Sequence, residues 1–348
     1  MPATHSAASN GSARQADTGE SGQWALQVRD LQVGFTVEHG TLAAVNGISF
    51  DLANGEALAV VGESGSGKSV LLRALVGLLP ARSADIGGTI RLRGDEAFRP
   101  ARIGFSDVRG NRIAMIFQEP LLALDPVFTV GDQIVETIVR HKRVDRRSAH
   151  RQAIRLLEQV GMPLPERRLK AYPHELSGGM RQRAMIAVAL SCQPDVLLAD
   201  EPTTALDVSV QMQIILLLRE LQREFGMAVI FVTHDIGVAA QIGSRVAVMY
   251  AGKFVELGPV RQVLHSPRHP YTIDLMRSVR RGKPLGAPLE TIAGTPPDLT
   301  NLPVGCSFAA RCRFREERCV ASEPPELVEG EHMVRCIHAN VGSLVAEA

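Results

Sequence analysis

The chain has 348 residues, of which 45% are hydrophobic and 22% are charged, and its formal net charge is +1. This length suits one large domain or two modest ones with buried cores. The near-neutral charge provides no global electrostatic surface for nucleic acid, and one Trp with three Tyr argues against a protein that stacks single-stranded bases.

Residues 1–23 are rich in Ala, Ser and Gly, carry scattered charges and lack the apolar core of a signal peptide. We expect a disordered tail there, neither a signal peptide nor an anchor. The best candidate for a membrane span, residues 70–80, is short and interrupted by Arg73. Attachment to a membrane is therefore expected to need a partner.

Three strands and a helix are predicted at the start of the folded region. Residues 26–37 and 47–52 alternate between apolar and polar side chains, which is typical of half-buried strands. Residues 57–61 (ALAVV) form a continuous apolar run, as in a strand buried within a parallel sheet. Apolar residues then recur at helical spacing over residues 70–79, and Pro80 is expected to end that helix.

The buried strand leads into the segment GESGSGKS, residues 62–69, which we call the phosphate loop. A glycine-rich loop that opens a helix presents backbone N–H groups to phosphate. Lys68 is expected to reach the outer phosphates, and Ser69 offers a hydroxyl to Mg²⁺. Three glycines let the backbone curl around the anion: Gly62, Gly65 and Gly67. We assign nucleotide contacts also to the other loop positions and to the residue that follows: Glu63, Ser64, Ser66 and Val70.

The rest of the chain alternates between strands and helices. A buried strand over residues 113–117 ends at Gln118, and residues 121–190 are helical and polar with no strand-like run, which predicts a helical subdomain. Four further strands are predicted at residues 196–199, 228–232, 246–250 and 253–257. The predicted fold is α/β: a parallel sheet with an antiparallel β edge and an α-helical subdomain.

Four more motifs with polar groups follow in a fixed order. Gln118 stands in FQEP, VLLADEP places Asp200 and Glu201 at the end of a buried strand, TALD contains Asp207, and VTHD contains His234. Two carboxylates at a strand end suit a metal ligand and a base that activates water. The alternative interpretation of Asp200 and Glu201 is an acidic strand end that is merely exposed to solvent.

The segment LSGGMRQR, residues 176–183, is the most diagnostic. With the phosphate loop and the four other motifs, it resembles the ATPase subunit of an ABC transporter, and the resemblance covers about residues 24–262. It implies that Asp200, Ser69 and Gln118 support Mg²⁺. It further implies that Glu201 deprotonates the attacking water and that His234 contacts the γ-phosphate of ATP.

The resemblance also implies a dimer with two ATP molecules at its interface. Ser177, Gly178 and Gly179 open a helix, so their N–H groups point toward an anion. In the family these groups face the nucleotide of the opposite subunit, and Asp207 helps to join the two sites. Met180 replaces the more usual Gln, which leaves the backbone donors intact.

Three further features are less specific than the motifs. Phe35 resembles the aromatic residue that stacks on adenine, yet an apolar residue in an alternating strand also suits the core. Cys192 follows an apolar helical stretch and suits core packing. The basic residues 140–155 suit a membrane surface, although their spread around a helix with Asp145 among them favours a solvated face.

From about residue 263 the composition changes to Pro, Gly, Arg and Cys, and we call residues 263–348 the C-terminal extension. Its sequences SPRHPYT (residues 266–272) and TPPDLTNLPVGCSFAARC resemble the extension of ATPases from oligopeptide, dipeptide and nickel importers, over roughly residues 263–340. We expect a small, irregular unit.

Four cysteines lie in the C-terminal extension: Cys306, Cys312, Cys319 and Cys336. Disulfides are not expected in the cytosol, and the spacing lacks the paired CxxC of a zinc ribbon. Relatives of this subunit carry an iron–sulfur cluster, so the resemblance implies a [4Fe–4S] cluster, which four thiolates can ligate. Zinc and unligated thiols remain alternatives, and His338 is expected to be a surface residue.

The favoured function is the motor of a peptide importer, an ATP hydrolase at the cytoplasmic face of the inner membrane. Expected cofactors are ATP and Mg²⁺. Expected partners are a second ABC ATPase subunit, two membrane permease subunits that dock on residues 119–130, and an extracytoplasmic substrate-binding protein; nucleic acid is not expected. Nickel, glutathione or opine import is an alternative. A soluble ABC ATPase of translation or DNA repair, or an exporter ATPase, is disfavoured.

Overall fold

The computed structural model describes five stretches of the chain: residues 23–38, 40–94, 105–204, 206–278 and 291–339. The tail predicted for residues 1–23 lies outside these stretches except for its last residue, and so does the end of the C-terminal extension after residue 339.

Within those stretches the strands are β1 (Trp24–Val37), β2 (Gly40–Ala53), β3 (Ala57–Val61), β4 (Ala84–Leu92), β5 (Ile113–Ile116), β6 (Val196–Asp200), β7 (Ala228–Val232), β8 (Arg245–Tyr250), β9 (Lys253–Pro259), β10 (Glu326–Glu329) and β11 (His332–Arg335).

The helices are α1 (Lys68–Leu75), α2 (Phe105–Val108), α3 (Pro120–Ala123), α4 (Val130–Lys142), α5 (Arg146–Gln159), α6 (Pro165–Arg168), α7 (Gly178–Leu190), α8 (Val208–Phe225), α9 (Ile236–Ile242), α10 (Val260–His265), α11 (Pro270–Ser278) and α12 (Glu317–Ala321).

The strands form two sheets. The larger has the order β10-β11-β9-β8-β3-β7-β6-β5, and the smaller has the order β2-β1-β4. The five strands β8, β3, β7, β6 and β5 run parallel, whereas β9, β11 and β10 are added antiparallel at one edge. Strands β3, β6 and β7 are buried along their whole length, as continuous apolar runs predict. The predicted α/β class with an antiparallel edge is confirmed.

Helices α3 to α7, with a short 3₁₀ turn at Pro173–Glu175, occupy the chain between β5 and β6. Apolar faces of α4, α5 and α7 share one core, to which Ile134, Leu157 and Ile186 contribute fully buried side chains. Helices α4 and α5 each bury one stripe, as their helical periodicity predicts, whereas α7 is buried on most of its sides.

The first helix after the phosphate loop is shorter than the sequence predicts. We expected a helix over residues 70–79 ended by Pro80, but α1 ends at Leu75. Gly77 has a φ of +65°, and its N–H donates to Ala74 while Leu78 N–H donates to Arg73. Both bonds satisfy carbonyls at the helix end, so a left-handed glycine terminates α1 before Pro80 is reached.

The C-terminal extension continues the large sheet. Met333 and Val334 of β11 pair with Leu257 and Glu256 of β9, and β10 pairs with β11. The sequence analysis predicted no strand in this region. A four-residue strand such as ELVE, exposed along its whole length, has no pattern that distinguishes it from a loop.

Candidate functional site

The predicted phosphate loop lies where β3 leaves the parallel sheet and α1 begins. Steric limits explain two of its glycines. A Cβ atom at Gly62 would lie 2.2 Å from the Met249 carbonyl oxygen, and one at Gly67 would lie 2.2 Å from that of Ala44. Gly67 also has a φ of +102°. Only glycine fits this close approach between the loop and the two neighbouring strands.

Lys68 extends back over the loop. Its Nζ donates to the carbonyl oxygens of Gly62 and Glu63, each at 2.8 Å. Burial lowers the pKa of Lys68, while the charges of Glu201, Asp200 and Glu63 act in the opposite direction. The ammonium group is thus held at the mouth of the loop, where an incoming anion would meet it.

Ser69 and Asp200, both predicted to support Mg²⁺, are brought together. The Ser69 hydroxyl donates to Asp200 Oδ1 at 2.8 Å. Asp200 is the last residue of β6 and is 2% exposed. Burial raises the pKa of this carboxyl, and the Ser69 hydrogen bond opposes that shift. A hydroxyl and a carboxylate at this spacing are oxygen ligands of the type that Mg²⁺ prefers.

Glu201 is held in an uncommon backbone conformation. Its φ is +44°, and its N–H donates to the Val232 carbonyl oxygen at 3.1 Å. Two side chains contact Glu201 Oε2: His234 Nδ1 at 3.0 Å and the Thr204 hydroxyl, which donates at 2.9 Å. The predicted pair Glu201 and His234 therefore lies together, and Thr204 is a contact that the sequence analysis missed.

Gln118 is placed at the same sheet edge. It follows β5, in which Ile116 pairs with Ala199 of β6, so Gln118 and Asp200 both emerge at the carboxyl ends of adjacent parallel strands. The side chain of Gln118 is exposed. This is the edge at which ligands bind in open parallel sheets.

Other predicted nucleotide contacts are distributed as follows. Ser64 and Gly65 are exposed, Ser66 is buried, and Val70 packs against the core of the large sheet. Phe35 is partly buried against the same core. Its packing agrees with the core reading, and its stacking on adenine stays a prediction.

Ser177 and Asp207 both act as helix caps. Ser177 precedes α7 and accepts a hydrogen bond from Met180 N–H at 3.4 Å, with Ser177 and Gly178 exposed and Gly179 partly exposed. Asp207 precedes α8 and accepts from Val210 N–H at 3.0 Å and from the Ser209 hydroxyl at 2.6 Å. These bonds lower the pKa of Asp207. Capping fixes the helix starts and leaves the Gly178 and Gly179 amides free to face a partner.

Glu63 is engaged by the C-terminal extension on both its backbone and its side chain. Its N–H donates to the Tyr271 hydroxyl at 2.9 Å, and its carboxylate accepts hydrogen bonds from both terminal nitrogens of Arg311. The sequence analysis assigned Tyr271 and Arg311 no role at the phosphate loop. No local pattern identifies them, because contact with Glu63 depends on how the extension folds back.

The four cysteines of the C-terminal extension approach one another, but not as a metal site. Cys306 N–H donates to the Cys319 carbonyl oxygen at 2.7 Å, and burial raises the pKa of Cys312 to about 11 and of Cys336 to about 12, with smaller contributions from the neighbouring thiols. Among the residues that the structure describes, no group of three or more His, Cys, Asp or Glu side chains is placed to hold a metal ion. The arrangement of the described residues therefore gives no support to the predicted [4Fe–4S] cluster.

His338 lies beside Glu316, with Nε2 at 3.2 Å from Oε1.

In the part of the chain that the structure describes, no helix has the length and apolar character needed to cross a membrane.

Comparison with known families gives two matches. Residues 45–204 match the ABC transporter family, and residues 255–319 match the family described as oligopeptide/dipeptide transporter, C-terminal region. The first match contains the phosphate loop and Glu201, and the second contains Tyr271, Arg311 and three of the four cysteines of the extension.

Individual relatives cover nearly the whole chain. The dipeptide transport ATP-binding protein DppD of Bacillus subtilis is 49% identical over 313 residues, 89% of this chain and 93% of the relative. The oligopeptide transport ATP-binding protein OppD of Salmonella typhimurium is 47% identical over 311 residues, 89% and 92% of the two chains.

Among solved structures, a dimeric ATP-binding cassette in a post-hydrolysis state with ADP and phosphate is similar to this chain, with a TM-score of 0.60 and 26% identity. It covers 68% of this chain and 99% of its own. The motif set, the sheet order and these relatives agree, and the chain belongs to the ATP-binding proteins of the ABC transporters, in the group that carries the oligopeptide/dipeptide C-terminal region.

Proposed function

We propose that this chain is the ATPase subunit of an import system that drives di- or oligopeptides through partner membrane subunits. The observation that carries the proposal is the joining, in one chain, of a complete set of ABC motifs to an extension that continues the central sheet. The relatives that share both parts are named for dipeptide and oligopeptide transport. Nickel, glutathione or opine uptake would use the same motor, because substrate selection lies in other subunits.

Nucleotide binding uses the phosphate loop. The N–H groups of residues 64–69 and the ammonium group of Lys68 receive the phosphates of ATP, and Phe35 receives adenine. Ser69 and Asp200, which share a hydrogen bond, would hold Mg²⁺ with help from Gln118. The ion would supply positive charge to the phosphate oxygens.

During ATP hydrolysis, Glu201 accepts the proton of the attacking water. The Glu201 side chain is 17% exposed, and its carboxylate is fixed by the Thr204 hydroxyl and by His234 Nδ1. A base held by two contacts stays in one orientation while water enters beside the γ-phosphate position. His234 is 61% exposed, so it can also reach the nucleotide.

The working unit is a dimer of two ABC ATPase chains, either two copies of this chain or this chain with a related one. The exposed start of α7, with Ser177, Gly178 and Gly179, faces the ATP held by the opposite subunit. Asp207, exposed at the start of α8, lies at the same interface. The dimeric cassette to which this chain is similar supports the proposal.

The membrane partners dock on the loop around α3. Four apolar side chains there are exposed by 50% or more: Leu121, Leu122, Val127 and Phe128. Apolar side chains clustered on a surface mark a contact with another protein. Docking at this loop places the chain at the cytoplasmic face of the inner membrane, and an extracytoplasmic binding protein completes the system.

We further propose that Cys306, Cys312, Cys319 and Cys336 hold one [4Fe–4S] cluster as a structural staple. Support comes from the sequence pattern alone, and the buried thiols would have to lose their protons to bind iron. Protein purified without oxygen should be brown and contain about four iron and four sulfide per chain. Colourless anaerobic protein, or protein with one zinc, would contradict this proposal and leave the transport function untouched.

The transport function is tested by uptake. Cells that need an essential amino acid and receive it only as a peptide should stop growing when the gene is deleted. Wild-type protein should restore growth, and Lys68→Ala should not, because that variant loses the charge facing the outer phosphates. Growth of the deleted strain on di- and oligopeptides at the wild-type rate, with nickel accumulation lost instead, would favour the nickel importer.

A further inference from the structure

One arginine of the C-terminal extension forms a paired contact with the phosphate loop. Arg311 Nη1 lies 2.7 Å from Glu63 Oε2, and Arg311 Nη2 lies 3.0 Å from Glu63 Oε1. The two parallel bonds match the fork of a guanidinium to a carboxylate. The Arg311 side chain is 4% exposed and that of Glu63 is 26% exposed, so water screens this pair far less than a surface ion pair.

The guanidinium of Arg311 is fixed from every side. Its Nε donates to the Ala293 carbonyl oxygen at 2.8 Å, and its terminal nitrogens donate to the Ile292 carbonyl oxygen and the Tyr250 hydroxyl, each at 3.3 Å. Its central carbon lies 5.8 Å from the ring centres of both Tyr250 and Phe308. The folded extension and the end of β8 thus hold the guanidinium beside the phosphate loop.

Glu63 carries the only carboxylate within residues 62–69, the segment that has to receive a polyanion. Its carbonyl oxygen accepts a hydrogen bond from Lys68 Nζ at 2.8 Å, and its N–H donates to the Tyr271 hydroxyl. An unpaired negative charge there would repel the phosphates and compete for Lys68. The extension therefore holds both the backbone and the charge of this one loop residue.

We propose that Arg311 is a positioning residue of the nucleotide site: it neutralises Glu63 and fixes the start of the phosphate loop, which makes the C-terminal extension a structural part of ATP binding. The inference rests on the proposed binding of ATP at residues 62–69. The C-terminal extension would then contribute directly to ATP binding, in addition to being a feature that this group of transporters shares.

The test is a double-mutant cycle on the full-length chain, with MgATP binding measured by calorimetric titration. Arg311→Met keeps an unbranched apolar stem and removes the guanidinium charge, so the Kd for MgATP should rise on the order of tenfold. In a Glu63→Gln background the same substitution should change the Kd by less than about twofold, because no carboxylate remains to be neutralised. Arg311→Lys should give an intermediate Kd, since it keeps the charge and loses the paired geometry.

The matched control is Arg313→Met. Arg313 lies two residues away in the same segment and pairs with Asp274 instead of the phosphate loop, so the Kd of this variant should equal that of the wild type. Thermal melting of each variant reports whether the extension stays folded. A rise in Kd for Arg311→Met that is equally large in the Glu63→Gln background would overturn the proposal, and so would an unchanged Kd. Failure of the wild-type chain to bind MgATP would instead contradict the proposed function.

Discussion

At the scale of single residues, a hydroxyl group helps to orient each of the two carboxylates of the site. The Thr204 hydroxyl donates a hydrogen bond to Glu201, and the Ser69 hydroxyl donates one to an oxygen of Asp200. Hydroxyl groups can donate to a carboxylate without neutralising it. The site thus keeps two carboxylates, which differ in environment: Asp200 is buried, whereas Glu201 is partly open to solvent.

Glu201→Gln should lower ATP turnover by about 100-fold or more, since general base catalysis contributes at least that factor. MgATP binding should persist, because the phosphate contacts of residues 64–69 remain. Turnover is measured as phosphate release by the assembled transporter, and binding by titration of the same preparation.

The matched control for that variant is Glu224→Gln, on the exposed side of α8. It should leave turnover unchanged. If Glu201→Gln hydrolysed ATP at the wild-type rate, another group would have to be the base.

At the scale of elements, the segment SPRHPYT anchors the C-terminal extension. Glu256 of β9 is fully buried and accepts hydrogen bonds from the N–H groups of Arg268 and His269 and from His332 Nε2 of β11. His269 in turn accepts from Tyr271 N–H through Nδ1 at 3.0 Å. Tyr271 then reaches the phosphate loop, so the segment connects the sheet edge to the nucleotide site.

This arrangement requires neutral His269. Burial lowers its pKa to about 4, against a small opposing effect of Glu256. Since the folded state disfavours the protonated form, the stability that depends on neutral His269 is present above the unfolded pKa of roughly 6.5 and is lost as the pH falls from there toward about 4. Lowering the pH from 7 to 5 should cost about 2 kcal/mol of folding free energy from this group.

The measurement is chemical unfolding at pH 7 and pH 5. His269→Asn keeps an acceptor for Tyr271 N–H and cannot titrate. The folding free energy that is lost between pH 7 and pH 5 should therefore be smaller in this variant by the contribution of His269, whatever the absolute stability of the variant. An equal loss in the wild type and in His269→Asn would show that His269 has no part in it.

The start of α7 should act on the opposite subunit. Ser177→Arg places a cation and a long side chain where the partner's nucleotide is expected, so it should block turnover at the neighbouring site and preserve nucleotide binding at its own phosphate loop. Mixed dimers with one Ser177→Arg chain and one Lys68→Ala chain separate the two sites in a turnover assay.

Ser177→Ala is the comparison variant, because it removes the hydroxyl that caps α7 without adding a cation, at a loss of about 1 kcal/mol in helix stability. Loss of turnover confined to the substituted subunit's own site would contradict the arrangement in trans.

At the scale of the whole molecule, the sequence predicted what neighbours along the chain determine. The strand ALAVV, the phosphate loop and the buried strand that ends at Asp200 are contiguous signals, and each was placed correctly. The contact between Glu63 and Arg311 spans 248 residues and could not be predicted, because nothing local to Arg311 indicates where the extension packs. The short strands β10 and β11 were also missed: β10 pairs with β11, and β11 joins the large sheet only through β9, which is far away in the sequence.

The coupling of ATP hydrolysis to peptide uptake is tested most directly by the ATP turnover of the complete transporter reconstituted in vesicles. ATP turnover by the wild-type complex should rise several-fold when the binding protein is loaded with di- or oligopeptide. Turnover by a complex that carries Glu201→Gln should stay low with or without peptide. Turnover that does not respond to any peptide, and rises instead with a nickel chelate or glutathione, would contradict coupling to peptide uptake.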